Sequence, residues 1–349
     1  MSKFPSLIFG LLFALSTLTT AAAAQQSNTS KIPPLVIEKQ GSFFVGGHDV
    51  HSDTLSTLPA YAPTGTVTVD QMYVRYQVPA KAARQSITLI HGCCLTGKTW
   101  ETTPDGRMGW DEYFVRKGRA TYVIDQAARG RSGGNVSSIN SVKLGKSALD
   151  QLPVVFEASH EAAWAIFRFG PEYPKVFPGM QFPLEAQGEF WKQMVPDWNS
   201  SLPSPNPTVT ALSELAQRIV GNTGGTVLMS HSQSGIYPFQ TAVISTKGIA
   251  GIVSIEPGGC PAASGNLQPY LKMPILVLFG DYVDQSTRWA PRLKSCREFV
   301  EAASKAGGKV ELIVLPEIGI RGNSHMLMQD KNSLQIADLL LGWIDKHVK

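Results

Sequence analysis

The chain has 349 residues, 43% of them hydrophobic, and a formal net charge of +4 at pH 7. That small excess is scattered without a basic run, which excludes a nucleic-acid-binding face or a dock for anionic membrane. The apolar content is ordinary for a globular core, and the length suits one α/β domain that carries an insertion.

Met1–Phe4 hold one positive side chain, Lys3, and Leu7–Ala22 form an apolar stretch ending at the small residues Ala22-Ala23-Ala24. A signal peptidase reads that pattern, and the stretch is short for a membrane anchor. Residues 1–24 are therefore expected to be a signal peptide. The mature chain would be secreted, extracellular or periplasmic, without a membrane anchor. Residues 25–64 are rich in Ser, Pro, Gly and Thr, with strand-like pieces at Leu35–Glu38 and Ser42–Val45. Gly65–Val78 alternates apolar and polar residues, as half-buried antiparallel strands do. From Ser86 the pattern changes. Ile87–Ile90, Thr121–Ile124, Thr226–Met229, Ile249–Ile255, Ile275–Phe279 and Val310–Leu315 are continuous apolar runs, the signature of parallel strands buried on both faces. Helical segments fall between them at Trp110–Lys117, Ala211–Val220, Ile236–Ile244, Ala290–Ala306 and Leu334–His347. This alternation predicts a mostly parallel, doubly wound α/β sheet with antiparallel N-terminal strands. The long stretch 135–207 breaks the rhythm. It carries eight Trp and Phe residues from Trp164 to Trp198 and a proline cluster at Pro196–Pro207. Disorder conflicts with that aromatic content, so it reads as a cap inserted into a core of residues 25–134 and 208–349.

The strongest chemical signal is Ser230-His231-Ser232-Gln233-Ser234-Gly235, which directly follows a buried strand. At a nucleophile elbow a serine occupies a strained strand-to-helix turn, and the residues two before and two after it must be small. Ser234 as nucleophile would place Ile236 there, and Ser230 would place Leu228. Only Ser232 has small neighbours on both sides. A serine hydroxyl needs a base to take its proton. In such folds the histidine follows the last strand, which is where His325 lies. His347 sits on the terminal helix, His231 adjoins the nucleophile, and His48, His51, His91 and His160 precede the elbow. The carboxylate that would orient the imidazole is left open between Glu256, at the end of one strand, and Asp281 or Asp284 after the next. Backbone N–H donors for a developing oxyanion are expected at Gln233, just after the nucleophile, and at Cys93 in the loop after Ile87–Ile90.

The four cysteines, Cys93, Cys94, Cys260 and Cys296, all follow the proposed cleavage site. An exported chain with an even number of them is expected to form disulfides, in one of three pairings. No Cys-x-x-Cys spacing suggests a metal, and no cofactor is expected.

Taken together, His91-Gly92-Cys93-Cys94, Asp125 with Gly130-Arg131-Ser132, Ser232 in its serine-rich elbow, Glu256 and His325 resemble the secreted microbial α/β-hydrolase-fold carboxylesterases whose oxyanion loop carries a Cys-Cys pair. The resemblance runs from about Gly65 onward. It implies an α/β-hydrolase fold, Glu256 as the acid, and disulfides Cys93–Cys94 and Cys260–Cys296. It further implies hydrolysis of small-molecule esters, and leaves a homodimer open. Lactone or polyester hydrolysis on the same residues, and a non-catalytic binding protein on this scaffold, are the competing expectations.

Overall fold

The computed structural model describes residues 32–349 except Arg84, so the expected signal peptide at residues 1–24 lies outside the described residues. Among them, the strands are β1 (Ile37–Ser52), β2 (Gly65–Pro79), β3 (Ser86–Ile90), β4 (Thr121–Asp125), β5 (Thr226–His231), β6 (Ile249–Ile255), β7 (Ile275–Phe279) and β8 (Val310–Val314). The helices are α1 (Trp110–Arg116), α2 (Ser137–Lys143), α3 (His160–Ile166), α4 (Gln187–Lys192), α5 (Pro207–Thr223), α6 (Tyr237–Ile244), α7 (Ala290–Lys305) and α8 (Ser333–His347).

All the strands join one sheet in the order β1-β2-β4-β3-β5-β6-β7-β8. The β1–β2 and β2–β4 pairs are antiparallel, and every pair from β4 to β8 is parallel. This is the doubly wound sheet with antiparallel N-terminal strands that the apolar runs predict. Those runs are uninterrupted because helices cover both faces. On one face Val227 and Met229 of β5 meet Trp110 and Phe114 of α1 and Ile336 and Leu340 of α8. On the other, Leu228 meets Leu212 and Leu215 of α5 and Phe239 of α6.

Two local expectations change. The short pieces expected at Leu35–Glu38 and Ser42–Val45 are one long strand, Ile37–Ser52. Pairing with β2 along its length holds even Gly46 and His48 in the ladder, so a partner strand outweighs weak local propensity. Helix α5 begins at Pro207 rather than Ala211. The Asn206 side chain accepts from Thr208 N–H, and a proline in the first turn loses no intrahelical bond.

Between β4 and α5 the long stretch folds into three short helices, α2 to α4, joined by turns. Its Trp164, Phe167, Phe169, Phe182 and Phe190 are buried in one cluster with Met326 and Leu327. Main-chain bonds fasten it to the loops at the carboxyl ends of the strands. His325 N donates to Phe167 O at 2.9 Å, Gln181 N to Gly322 O at 2.8 Å, and Val195 N to Cys94 O at 2.9 Å.

Candidate active site

Strand β5 ends at His231, and the chain turns into a short 3-10 helix, Ser232–Ile236, before α6. Ser232 has φ 60°, a left-handed conformation that costs a non-glycine residue on the order of 1–3 kcal/mol. Surrounding bonds hold it there. Ser234 Oγ donates to the carbonyl of Ile90 or His231, and Gly258 N donates to Ser232 O at 2.7 Å. The tightest approach falls at Gly235, where a Cβ would stand 2.5 Å from Pro257 Cα. A serine at 234 therefore fits, because the glycine one step later accommodates the neighbouring strand end.

His325 lies within reach of this turn. The Ser232 hydroxyl donates to His325 Nε2 at 2.8 Å, and His325 Nδ1–H donates to Glu256 Oε2 at 3.0 Å. A carboxylate can only accept, so Nδ1 carries the proton and Nε2 is left with a free lone pair. The other two candidate acids are elsewhere engaged. Asp281 accepts from Gly322 N and Tyr282 N, bracing the loop that carries His325, while Asp284 is exposed. Glu256 and His325 are both fully buried. Burial raises the Glu256 carboxyl, but Arg168 and His325 outweigh it and hold it down at about 2. Burial pulls His325 down to about 4, against the upward pull of Glu256.

Three residues that support the His325–Glu256 pair, Arg168, His231 and Asp330, were invisible to motif spacing. Arg168, just past α3 in the long insertion, is fully buried and forks onto Glu256. Its Nη1 donates to Oε2 at 2.6 Å, Nη2 donates to Oε1, and Nε donates to Asp281 O at 3.0 Å. His231, set aside in the sequence as merely adjacent to the serine, donates from Nε2 to His325 O at 2.9 Å. Burial keeps it neutral, well below the usual histidine range. Asp330, which burial pushes up to about 7, accepts from Ser324 Oγ at 2.7 Å and Ser324 N at 2.9 Å. Nothing in a residue's type marks such roles. They follow from which loops meet.

Cys93 and Gln233 line one cleft with Ser232. A Cβ on Gly92 would stand 2.7 Å from Ser232 Cβ, so only glycine lets the loop come this close. The Gly92 carbonyl accepts from His91 Nδ1 at 2.9 Å and Arg129 Nη1 at 3.3 Å. It belongs to the same peptide as the Cys93 N–H, so these two donors fix that peptide's plane. Arg129 is also paired with Asp197 of the insertion, and both bond the Gln233 side chain, at 3.1 and 2.9 Å. One buried network thus ties together the two loops expected to supply oxyanion donors. Cys93 is bonded to Cys94, and Cys260 to Cys296 with Cα atoms 5.1 Å apart, which joins the loop after Glu256 to α7. Cys93, Cys94 and Asp197 converge closely enough to suggest metal donors, but two are disulfide sulfurs and the third is committed to Arg129.

No protein-family model matches the chain. A fungal protein named as a probable secreted lipase is 26% identical over 329 residues, covering 79% of this chain and 86% of its own. The solved structure of a bacterial esterase is 61% identical, covers 91% of this chain and 98% of its own, and superposes with a TM-score of 0.89.

Proposed function

The chain belongs to the family of that bacterial esterase, carboxylic ester hydrolases of the α/β-hydrolase fold, and we propose that it works through Ser232, His325 and Glu256. His325 Nε2 takes the Ser232 proton as Oγ attacks the ester carbonyl. The N–H groups of Cys93 and Gln233 receive the oxyanion. Collapse of the tetrahedral intermediate breaks the bond to the alcohol oxygen, which leaves with the proton from His325. Water then repeats the sequence and releases the acid from the acyl-enzyme. Glu256 keeps the imidazole in the tautomer that accepts from Ser232 and stabilises its positive form, and Arg168 holds Glu256 in place.

The observation that most supports this reading is the 2.8 Å bond from a serine at φ 60° to a histidine already bonded to a carboxylate. In this scheme the 135–207 stretch is a cap over the site. Every group comes from one chain, so a homodimer would add none. The enzyme is read as secreted, extracellular or periplasmic. Its two disulfides fit an oxidising compartment, and among the described residues no helix is long and apolar enough to cross a membrane. The decisive test is Ser232→Ala. Turnover of a 4-nitrophenyl ester should fall by on the order of 10⁴-fold or more with the circular dichroism spectrum unchanged. Covalent labelling by a fluorophosphonate should map to the peptide containing Ser232. Retained turnover, or labelling elsewhere, would defeat the assignment.

A further inference from the structure

The cleft beside Ser232 encloses about 330 Å³, room for a short ester, and has two chemically distinct sides. One side is the elbow and the oxyanion loop. The other is Trp289 with Arg288 and Arg292, four positions apart at the start of α7. Their guanidinium carbons lie 5.8 and 5.2 Å from the Trp289 ring centre. Arg292 donates from Nε to Gly258 O at 3.0 Å and from Nη1 to Arg288 O.

Neither arginine has a carboxylate partner among the described residues, whereas Arg75, Arg129, Arg131 and Arg168 each hold one. Arg288 stands in the turn just before α7 and Arg292 in the helix's first turn, so two like charges share one wall of the cleft. Burial and the nearby Arg288 both lower Arg292 from its ordinary value. The start of α7 adds the positive end of a helix dipole, with no acidic residue in its first turn to match it. Two guanidinium groups therefore line the same small cleft, beside a helix start that adds to their positive potential. The buried carboxylate close behind it, Glu256, is already committed to Arg168 and His325. Two guanidinium groups without a carboxylate partner among the described residues, one of them with all its donors unengaged, form a receptor for an anion beside the serine.

We infer that Arg288 and Arg292 form a subsite for a carboxylate on the substrate, so that the preferred esters are short ones bearing an anionic group a few carbons from the scissile carbonyl. This rests on Ser232 being the nucleophile. The carboxylate could belong to the acyl part, as in a half-ester of a dicarboxylic acid, or to the alcohol part, as in an ester of a hydroxy acid.

The test compares kcat/KM for matched pairs. The acyl arm pairs the 4-nitrophenyl monoester of glutaric acid with 4-nitrophenyl valerate. The alcohol arm pairs the acetate ester of 4-hydroxybutyric acid with that of its amide. In one arm the anionic member should be favoured about tenfold at low salt, a preference that shrinks as salt is added. Arg288→Gln should cut the ratio severalfold, Arg288→Gln with Arg292→Gln should remove it, and Arg288→Glu should reverse it. Arg288 is exposed, and no bond from its side chain to another residue is seen, so its single variants should fold even if the double variant does not. Ratios at or below one in both arms, or a ratio that Arg288→Glu leaves in place, would overturn the subsite while neutral-ester turnover left the Ser232 reading standing. Failure of the folded protein to cleave any of the four esters would sink both.

Discussion

The sheet and the long insertion meet at the same site but contribute to it differently. Ser232, Glu256 and His325 all lie just beyond the carboxyl ends of parallel strands, on turns set by β5, β6 and β8. The insertion holds none of the three residues proposed to react. It brings two buried charges, Arg168 against Glu256 and Asp197 against Arg129, together with main-chain bonds to the loops of His325 and Cys94. In the proposed mechanism one region supplies the chemistry, and the other supplies the electrostatic and steric frame that holds it. Where the reacting groups are small and polar, their pre-set orientation is itself part of the rate enhancement.

That division can be broken at several points. The largest effect is expected within the sheet's own contribution. Glu256→Gln should lower kcat by about 10³–10⁴-fold, because the amide allows the wrong tautomer, while Asp284→Asn should stay within about twofold in the same assay. Equal losses in the two variants would mean that the acid has been misassigned. Next comes Gly92→Ala, whose methyl would collide with Ser232 Cβ and push the Cys93 peptide away. A drop in kcat of about 10²-fold is expected, with the melting temperature falling only modestly.

The insertion's part is sharper when tested through Arg168. Arg168→Gln leaves Glu256 buried without its fork, which should cost about 3–5 kcal/mol in urea unfolding. Arg168→Lys keeps the charge but loses the paired geometry and should fall between. A purely structural role would stop there, whereas a role in orienting the acid also moves the pH profile. His325 must be neutral to accept the serine proton, so activity is present above its pKa and lost as pH falls through it. With burial holding His325 down at about 4, and Glu256 ionised throughout, the acid limb of kcat/KM should lie well below the ordinary histidine value of about 6.5. Removing the Arg168 charge, which acts to lower His325, should shift that limb upward. An unmoved limb in Arg168→Gln would make the insertion a packing element and nothing more. The smallest effect expected is on the wild-type rate between pH 6 and 8, which should be nearly flat.

The parallel sheet, its helices and the serine elbow were legible in the residues because each rests on local pattern. Continuous apolar runs need two covered faces, and a nucleophile turn needs small flanking side chains within a few positions. His325 was legible by its place after the last strand. The choice among Glu256, Asp281 and Asp284 was not readable from spacing, since all three follow strands and only the folded loops show which carboxylate touches the imidazole. Arg168, Asp197, His231 and Asp330 carry no local signature at all. An arginine between two phenylalanines reads as a surface residue until the chain buries it against a glutamate 88 positions away. Periodicity and sterics act between neighbours, so sequence alone determined the elements and singled out Ser232 and His325, which the fold brings within hydrogen-bond distance. Coulomb energy in a dry interior acts between whatever folding brings together, so tertiary structure alone decided which charges hold the site in place.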